Sequence, residues 1–353
     1  MRIDFVLPST PLTHHREPHL KTINARESLQ VEWKSSSRES KNMVYRIGVD
    51  VGGTKVAAAI VDSNGKIIDH VRRPSPQASS DALQATIIDC INALSGYNIA
   101  SIGIGAAGYI SADRSTVIYG TNLPWRNEPL GERIAQATGL PVVVENDANS
   151  AAWAEYRFGT AQGSVSPLVV TIGTGVGGGI IIDGKLLRGT FGFGGEIGHI
   201  HMDDAGPLCG CGQHGCWEVY GSGSALVRFA RERANAYPEK AHRLRELSGG
   251  GEIQGLAVTQ AAQEGDPLAL NVFAELGHWN ARGIASMITL FDPDVIVLSG
   301  GVCEAGSLVI DPINRELSSL LPAGSYRGVP PIRVASLGNN AGIIGAADLS
   351  LSA

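Results

Sequence analysis

The chain has 353 residues, of which 43% are hydrophobic and 18% are charged, so it can bury one large core or two ordinary ones and is not a disordered chain. Its formal net charge is −6, with 34 acidic against 28 basic residues, and this balance gives no overall attraction to nucleic acid or to an anionic membrane. No apolar run approaches the roughly 20 residues of a membrane helix and no signal-peptide pattern opens the chain, so we expect a cytoplasmic protein that acts on a small molecule.

The first 42 residues are polar and show no sustained helical or strand period. We therefore predict a disordered N-terminal extension over residues 1–42. Periodic sequence begins at Met43, and the apolar, strand-like runs that follow are 45–51, 56–61 and 67–71. Asn64-Gly65, a frequent hairpin turn, separates the last two, so the pattern predicts a three-stranded meander.

Beyond the meander, helical and strand patterns alternate, which predicts an α/β fold. The predicted helices are 79–95, 129–138, 148–156, 222–236, 255–264, 266–290 and one from about residue 340. The predicted strands are 101–105, 141–144, 168–172, 179–182, 295–298 and 332–335. We expect a small α/β domain over residues 43–147, which the C-terminal helix at 339–353 rejoins, and a larger domain over 148–338.

One internal similarity bears on function. The segment IGVDVGGTKVAAAIVDSNGK at 47–66 is similar to LVVTIGTGVGGGIIIDGK at 168–185. In each segment a buried strand runs into Gly and Thr residues, a second strand follows, and a turn ends in Gly-Lys. We therefore expect two glycine-rich hairpins, one in each domain, that face each other.

Three glycine-rich segments match nucleotide-binding signatures only in part. GIGAAG at 103–108 and GTGVGG at 173–178 fit the dinucleotide fingerprint, which requires a helix to begin at the glycines, but no helical pattern follows either one. The segment 179–185 nearly spells a P-loop, but Leu186 stands where a Ser or Thr must bind magnesium. We therefore predict neither a Rossmann site nor a P-loop.

The glycines at two strand ends are better explained as phosphate loops. DVGGTK at 50–55 and GTG at 173–175 each follow an apolar strand. Glycine lets backbone N–H groups approach phosphate oxygens, Thr adds a hydroxyl donor, and Asp50 is suited to hold Mg²⁺ through water. The alternative is a pair of tight β-turns, and Lys55 suits either a phosphate contact or an exposed strand position.

Asp147 follows the predicted strand at 141–144 and stands where a helix should begin. Ligands of α/β folds bind at the carboxyl ends of strands, so this carboxylate is suited to accept a hydroxyl proton during phosphoryl transfer. The alternative is a structural role as the N-cap of the helix. The spacing alone does not separate these two roles.

Three of the five cysteines, at positions 209, 211 and 216, fall in one glycine-rich loop. Three thiolates and one imidazole make a closed tetrahedral zinc site, which is structural because no position stays open for water. The candidate fourth ligands are His199, His201 and His214. Residue chemistry leaves this choice open, and free thiols are the alternative to a metal site.

The motifs that carry a family resemblance are DVGGTK, GIGAAG, ENDAN at 145–149, TIGTGVGGG, GEIGH at 195–199, CGCGQHGC and SGGV. In this combination and order they resemble the ROK family of the actin-like sugar kinase superfamily. The resemblance extends from Met43 to Ala353. It implies a two-domain actin-like α/β fold with the active site in the cleft between the domains.

The resemblance implies a role for each residue at a matching motif position. Asp147 is the implied general base, and the implied ligands of a structural zinc are His199, Cys209, Cys211 and Cys216. The implied sugar-binding residues are Asn146, Asp147, Glu196, His199, Glu218, Asn122 and Gly108. The implied ATP- and phosphate-binding residues are Asp50, Gly52, Gly53, Thr54, Lys55, Gly173, Thr174, Gly175, Gly300 and Gly301. The implied cosubstrate is ATP with Mg²⁺.

The phrases NLPWRNEPL, CGCGQHGCWE and GAADL are most similar to the ATP-dependent glucokinases of the family. The implied reaction is transfer of the γ-phosphate of ATP to the 6-hydroxyl of D-glucose. The alternatives are a kinase for N-acetylmannosamine or mannose, a polyphosphate-dependent glucokinase, and a sugar-sensing transcriptional repressor. The intact DVGGTK and Asp147 favour a kinase over a repressor. The family also implies a homodimer or homotetramer, with no nucleic-acid or membrane partner.

Overall fold

A computed structural model of the chain describes residues 43–120 and 123–352. The predicted extension at 1–42 and the candidate sugar ligand Asn122 lie outside the described residues. None of the helices in the described part of the chain combines the length and the apolar character that a membrane crossing requires.

The strands of the described residues form two five-stranded sheets and one three-stranded sheet. In chain order they are β1 (Tyr45–Val51), β2 (Lys55–Val61), β3 (Ile67–Pro74), β4 (Ile99–Ala106), β5 (Gly108–Ile110), β6 (Val117–Gly120), β7 (Arg126–Glu128), β8 (Val142–Asn146), β9 (Leu168–Ile172), β10 (Val176–Ile182), β11 (Lys185–Leu186), β12 (Ile296–Ser299) and β13 (Ile332–Val334). The first sheet has the order β3-β2-β1-β4-β8, the second β11-β10-β9-β12-β13, and the small sheet β5-β6-β7.

The two large sheets repeat one arrangement. In the first sheet, β1 pairs antiparallel with β2 and parallel with β4, which pairs parallel with β8. In the second sheet, β9 pairs antiparallel with β10 and parallel with β12, which pairs parallel with β13. The two similar sequence segments are thus equivalent hairpins, one in each sheet. The carboxyl ends of each set of parallel strands lie at one edge, where α/β folds bind their ligands.

Helices cover the sheets and complete the hydrophobic cores. They are α1 (Ser80–Ala93), α2 (Leu130–Thr138), α3 (Asp147–Phe158), α4 (Glu218–Gly221), α5 (Gly223–Ala236), α6 (His242–Leu247), α7 (Gly255–Gln263), α8 (Pro267–Phe291), α9 (Ser307–Leu320) and α10 (Ala341–Leu349). Apolar side chains of α1 and α2 pack with β1 and β4, and those of α5, α7 and α8 pack with β9 and β12. This layout confirms the predicted α/β class.

The C-terminal helix α10 packs directly on the first sheet. A Cβ added at Gly103 of β4 would lie 1.7 Å from the carbonyl oxygen of Ala346, so only glycine permits this approach. The buried carboxylate of Asp348 accepts hydrogen bonds from Arg46 of β1 at 2.8 Å and from Trp153 of α3 at 2.9 Å. Helix α10 therefore ties the first sheet to α3.

Each helix and strand predicted from the sequence is present, with boundaries that differ by at most a few residues. The rejection of a dinucleotide fingerprint is confirmed, because strand β5 follows GIGAAG and strand β10 follows Gly175. The short strands β5, β6 and β7 have no counterpart among the predictions. They span only three or four residues each, which is too short for an alternating pattern to stand out.

Helix α9 is also absent from the sequence prediction. Pro312 lies in its interior, and an internal proline usually breaks or kinks a helix because it lacks an N–H donor. Here Pro312 packs against Gly277 of α8, where an added Cβ would lie 2.2 Å from the proline Cβ. Burial between two helices therefore outweighs the local cost of the proline.

Candidate active site

A cleft of about 620 Å³ is lined by residues from the carboxyl-end edges of both large sheets. The predicted sugar- and nucleotide-binding residues that line it are Asp50, Lys55, Gly108, Asn146, Asp147, Gly173, Thr174, Gly175, Glu196, His199, Glu218 and Gly300. The two glycine-rich hairpins therefore contribute to one cavity, as the internal similarity predicts.

Four predicted nucleotide-binding residues are not part of the cleft wall, namely Gly52, Gly53, Thr54 and Gly301. The first three form the tip of the β1–β2 hairpin, which closes through a hydrogen bond from the Gly52 N–H to the Lys55 carbonyl at 3.0 Å. The Thr54 carbonyl accepts a further bond from the Ser75 N–H at 3.0 Å. These contacts show the tight β-turn that was the alternative for DVGGTK, and the same turn places Asp50 and Lys55 in the cleft.

Asp147 is the first residue of α3, but it is not the N-cap. That position belongs to Asn146, whose Oδ1 accepts a hydrogen bond from the Asn149 N–H at 3.0 Å. The carboxylate of Asp147 instead accepts a bond from the Ala148 N–H at 2.9 Å and lines the cleft. The N-cap alternative for Asp147 is therefore wrong.

Several carboxylates share the cleft, and their surroundings favour the neutral acid. Burial raises the pKa of Asp147, and the bond from the Ala148 N–H opposes this shift. Burial and the charge of Asp147 raise the pKa of Asp50 to about 6. Burial and the charges of Asp147 and Glu218 raise the pKa of Glu196 to about 7. A metal cation or a ligand rich in hydroxyl donors would relieve this excess of negative charge.

The predicted sugar-binding residues form two groups in the cleft. In the first group, the Asn146 Nδ2 donates to the Gly108 carbonyl at 3.1 Å, which leaves one amide N–H for a ligand. In the second group, the His199 Nε2 lies 3.9 Å from a carboxylate oxygen of Glu196. Glu218 belongs to the same group and accepts a bond from the Val176 N–H at 3.1 Å.

Gly175 lies so close to Glu218 that a substitution at Gly175 can test whether the second group binds the sugar. We expect Gly175→Ala to raise the KM for the sugar about tenfold, because an added Cβ would lie 2.1 Å from the Glu218 Oε2 and would displace that carboxylate. Gly173→Ala is the matched control, since no heavy atom lies within 4 Å of its added Cβ. Initial rates at varied sugar concentration measure the effect. Equal sugar KM values for the two variants would show that Glu218 does not bind the sugar.

One histidine and three cysteines lie together beside the cleft. Their ligand atoms, on His199, Cys209, Cys211 and Cys216, are all within 4.8 Å of one another. The Cys211 Sγ is 3.6 Å from the Cys216 Sγ, and the Cys209 Sγ is 3.6 Å from the His199 Nδ1. A tetrahedron with bonds of about 2.3 Å has edges of about 3.8 Å, so this group fits a zinc ion.

The two other candidate histidine ligands have different partners. The His201 Nε2 lies 2.6 Å from Asp204, and its Nδ1 lies 3.1 Å from the His214 carbonyl oxygen. The His214 Nδ1 lies 3.0 Å from the Gly206 carbonyl oxygen. The geometry therefore favours His199 as the fourth member of the group.

Comparison with known proteins identifies the family, since the ROK family profile matches residues 46–353. The chain belongs to the ROK family. A ROK family glucokinase structure from Streptomyces griseus in complex with glucose and AMPPNP is 46% identical, with a TM-score of 0.80, and covers 88% of this chain and 100% of that one. A glucokinase of Streptomyces coelicolor is 47% identical over 310 residues, 87% of this chain and 98% of that protein. A xylose repressor of Bacillus subtilis is 30% identical over 317 residues, 87% of this chain and 77% of that protein.

Two polar residues of the cleft wall in this ROK protein were missed by the sequence analysis, Glu304 and Asn339. Each follows a parallel strand, β12 or β13, and lies in a short 3₁₀ helix just beyond the strand's carboxyl end. The rule that ligands bind at carboxyl ends of parallel strands would have identified both positions. The glycine pattern that predicts phosphate loops does not include them, because neither is a glycine.

Proposed function

We propose that this ROK protein is an ATP-dependent glucokinase, which transfers the γ-phosphoryl group of ATP to the 6-hydroxyl of D-glucose. The observation that carries the proposal is the position of Asp147, at the carboxyl end of β8, in a cleft that both glycine-rich hairpins also line. The glucokinase relatives, which match almost their full length, support the same reaction. A repressor requires no residue that accepts the proton of a sugar hydroxyl.

The proposed binding arrangement divides the chain into two domains. Residues 43–147 with the C-terminal segment 339–353 form the small domain, and residues 148–338 form the large one. ATP phosphates lie between the two hairpins, near Lys55 and Thr174, and the nucleoside lies toward Gly300. We further propose a homodimer or homotetramer, which light scattering on the purified protein measures.

The proposed reaction needs one proton acceptor on the protein. The 6-oxygen of glucose attacks the γ-phosphorus in line as its proton passes to the Asp147 carboxylate, and the bond between the γ-phosphorus and the bridging oxygen breaks to release ADP. Bound Mg²⁺ supplies charge neutralisation on the phosphates, and Asp50 is placed to hold it through water. Closure of the two proposed domains over the substrates would exclude bulk water, which otherwise competes with the sugar hydroxyl.

We propose that His199, Cys209, Cys211 and Cys216 hold a structural zinc ion. The His199 Nδ1 faces Cys209, while its Nε2 faces Glu196 in the cleft. A ligand bond at Nδ1 would fix the ring and direct Nε2 toward the sugar. The bound zinc would thereby support the second group of sugar-binding residues.

The raised pKa of Asp147 predicts an acid limb in the pH dependence of the reaction. We expect kcat/KM for glucose to fall tenfold per pH unit on this limb, because the neutral carboxyl group cannot accept a proton. Burial raises the pKa of Asp147, so the neutral form becomes populated at higher pH than for an exposed aspartate. The apparent pKa of the limb belongs to Asp50, Asp147 and Glu196 together, since their charges interact. Initial rates between about pH 4 and 9 measure it. A profile that stays flat down to about pH 4, near the ordinary pKa of an exposed aspartate, contradicts the assignment.

A panel of sugars and phosphate donors tests the proposed function. Release of ADP from MgATP is measured with glucose, mannose, N-acetylmannosamine, N-acetylglucosamine and fructose, and polyphosphate replaces ATP in a parallel series. We expect glucose with ATP to give the highest kcat/KM. A preference for an amino sugar or for polyphosphate would replace the proposed substrate or donor, and no turnover with any pair would contradict a kinase.

A further inference from the structure

Glu145 is a buried carboxylate directly before Asn146 and Asp147, with only 1% of its surface exposed. One of its oxygens, Oε1, contacts the start of α3. It accepts hydrogen bonds from the Asn146 N–H at 2.9 Å and from the Asn149 Nδ2 at 3.2 Å. Glu145 therefore holds the turn that presents Asp147 to the cleft.

The other oxygen, Oε2, lies between two guanidinium groups. Arg114, in the turn between β5 and β6, donates to it through Nε at 3.1 Å and Nη2 at 3.0 Å. Arg188, which follows β11 of the second sheet, places its Nε at 2.8 Å. One guanidinium suffices to neutralise one carboxylate, so the second cation is not required by charge balance.

Arg188 belongs to a segment that crosses from the second sheet to the β5–β6 turn. Its two remaining nitrogens donate to the carbonyls of Ala112 at 2.9 Å and Ser111 at 3.0 Å. Farther along the same segment, a Cβ added at Gly192 would lie 2.3 Å from the Ile110 carbonyl oxygen. Two residues after Phe193, the chain reaches the GEIGH motif.

The end of this segment is held by an aromatic contact as well. The rings of Phe193 and Tyr109 meet edge to face, with centroids 5.3 Å apart. The crossing segment therefore has defined contacts at Arg188, at Gly192 and at Phe193, immediately before Glu196 and His199 enter the cleft.

We propose that Glu145 and Arg188 are positioning residues whose ion pair sets the first group of sugar-binding residues, Asn146 and Asp147, against the second, Glu196 and His199. The inference rests on the proposed function. The first group lies at the carboxyl end of β8 in the first sheet, and the second group follows β11 of the second sheet. The pair is a direct charged contact between the strand that ends just before Asp147 and the segment that leads to Glu196. A misplacement of about 1 Å in such a site costs up to about 100-fold in rate, so the pair acts on glucose binding and turnover.

The test compares Arg188→Gln with the wild-type protein in steady-state kinetics. We expect kcat/KM for glucose to fall roughly 10–100-fold, through a higher glucose KM and a lower kcat, with the KM for ATP within about twofold of wild type. Arg188→Lys should recover part of the loss. The lysine ammonium group keeps a positive charge beside Glu145, but it cannot make both hydrogen bonds to the carbonyls of Ala112 and Ser111. Arg157→Gln is the control, since Arg157 also pairs with a buried carboxylate on a neighbouring helix, that of Asp348 at 3.1 Å.

A double-mutant cycle with Glu145→Gln asks whether Arg188 acts through Glu145. We expect kcat/KM for glucose of the double variant to be at most about twofold lower than that of Glu145→Gln alone. Three results would overturn the inference. The first is that the losses of kcat/KM in Arg188→Gln and Glu145→Gln add up in the double variant. The others are equal losses in Arg157→Gln and Arg188→Gln, and an unchanged glucose KM and kcat in Arg188→Gln. If Glu145→Gln does not fold, the comparison of Arg188→Gln, Arg188→Lys and Arg157→Gln decides. Wild-type protein without activity on glucose would instead contradict the proposed function, and this inference with it.

Discussion

Replacing Asp147 with Asn should lower kcat for glucose by about 10²–10⁴-fold while the glucose Kd stays within a few-fold of wild type. Asparagine has nearly the same shape as aspartate, so the cleft keeps its form, but a neutral amide cannot accept the proton of the 6-hydroxyl. The structure excludes the N-cap role for Asp147, because Asn146 caps α3. Steady-state kinetics measure kcat, and calorimetry without ATP measures glucose binding.

Asp89→Asn is the control for this substitution. Asp89 is an exposed carboxylate that pairs with Arg73 on the surface, away from the cleft. Its variant should keep wild-type kcat, since exposed ion pairs contribute little. A near-normal kcat for Asp147→Asn would remove Asp147 as the general base. A complete loss of glucose binding would show that Asp147 acts mainly as a sugar-binding residue and would remove the support for a separate role as general base.

Replacing Cys211 with Ser should abolish metal binding and lower kcat/KM for glucose by about 100-fold. A serine hydroxyl is a poor substitute for a thiolate ligand, so the proposed site would hold three strong ligands instead of four. Without the metal, the His199 ring loses the bond that directs its Nε2 toward the cleft, and loss of such orientation typically costs 10–100-fold. Elemental analysis by mass spectrometry measures zinc per chain, with one expected for the wild type.

Cys90→Ala is the matched cysteine control. Cys90 is buried on α1 within the core of the first sheet, and it lies outside the group of four ligands. Its variant should keep one zinc per chain and wild-type kcat/KM for glucose, with some loss of thermal stability from the small cavity. Wild-type protein purified without zinc, yet fully active, would contradict a structural zinc site.

Much of the fold could be predicted from local sequence patterns. The similarity of segments 47–66 and 168–185 anticipates the equivalent hairpins β1–β2 and β9–β10, because both pair a buried strand with a glycine-rich turn. Most of the predicted helices are long and periodic, and the predicted strands are apolar runs, which are the cases in which such patterns are reliable. Asp147 and the cysteine loop were likewise recognisable, since their chemistry depends on residue type and spacing.

Two of the features that the sequence does not predict depend on tertiary contacts. Helix α9 forms in spite of Pro312 because that residue packs into a space left by Gly277, which lies 35 positions earlier in the chain. The partners of Glu145 are also distant in sequence, since Arg114 and Arg188 meet it only when the two sheets are in place. An arginine in a loop has no local pattern that distinguishes a buried pair from an exposed charge.

Asn146 shows how one side chain can both cap a helix and line the cleft. Its Oδ1 caps α3 and its Nδ2 bonds to Gly108, so it fixes the start of the helix while lining the cleft. The sequence pattern of a strand followed by ENDAN predicts a helix start but does not say which residue caps it. The cap matters here, because it leaves the Asp147 carboxylate available to the substrate.

The proposed reaction is transfer of phosphate from ATP to the 6-hydroxyl of glucose. Its most direct test couples the reaction to glucose-6-phosphate dehydrogenase and measures NADPH beside ADP, because that enzyme oxidises the 6-phosphate and not the free sugar. We expect one NADPH for each ADP, and no NADPH from Asp147→Asn on the same time scale. Release of ADP without NADPH would contradict the account, since phosphate would then have gone to water or to another hydroxyl.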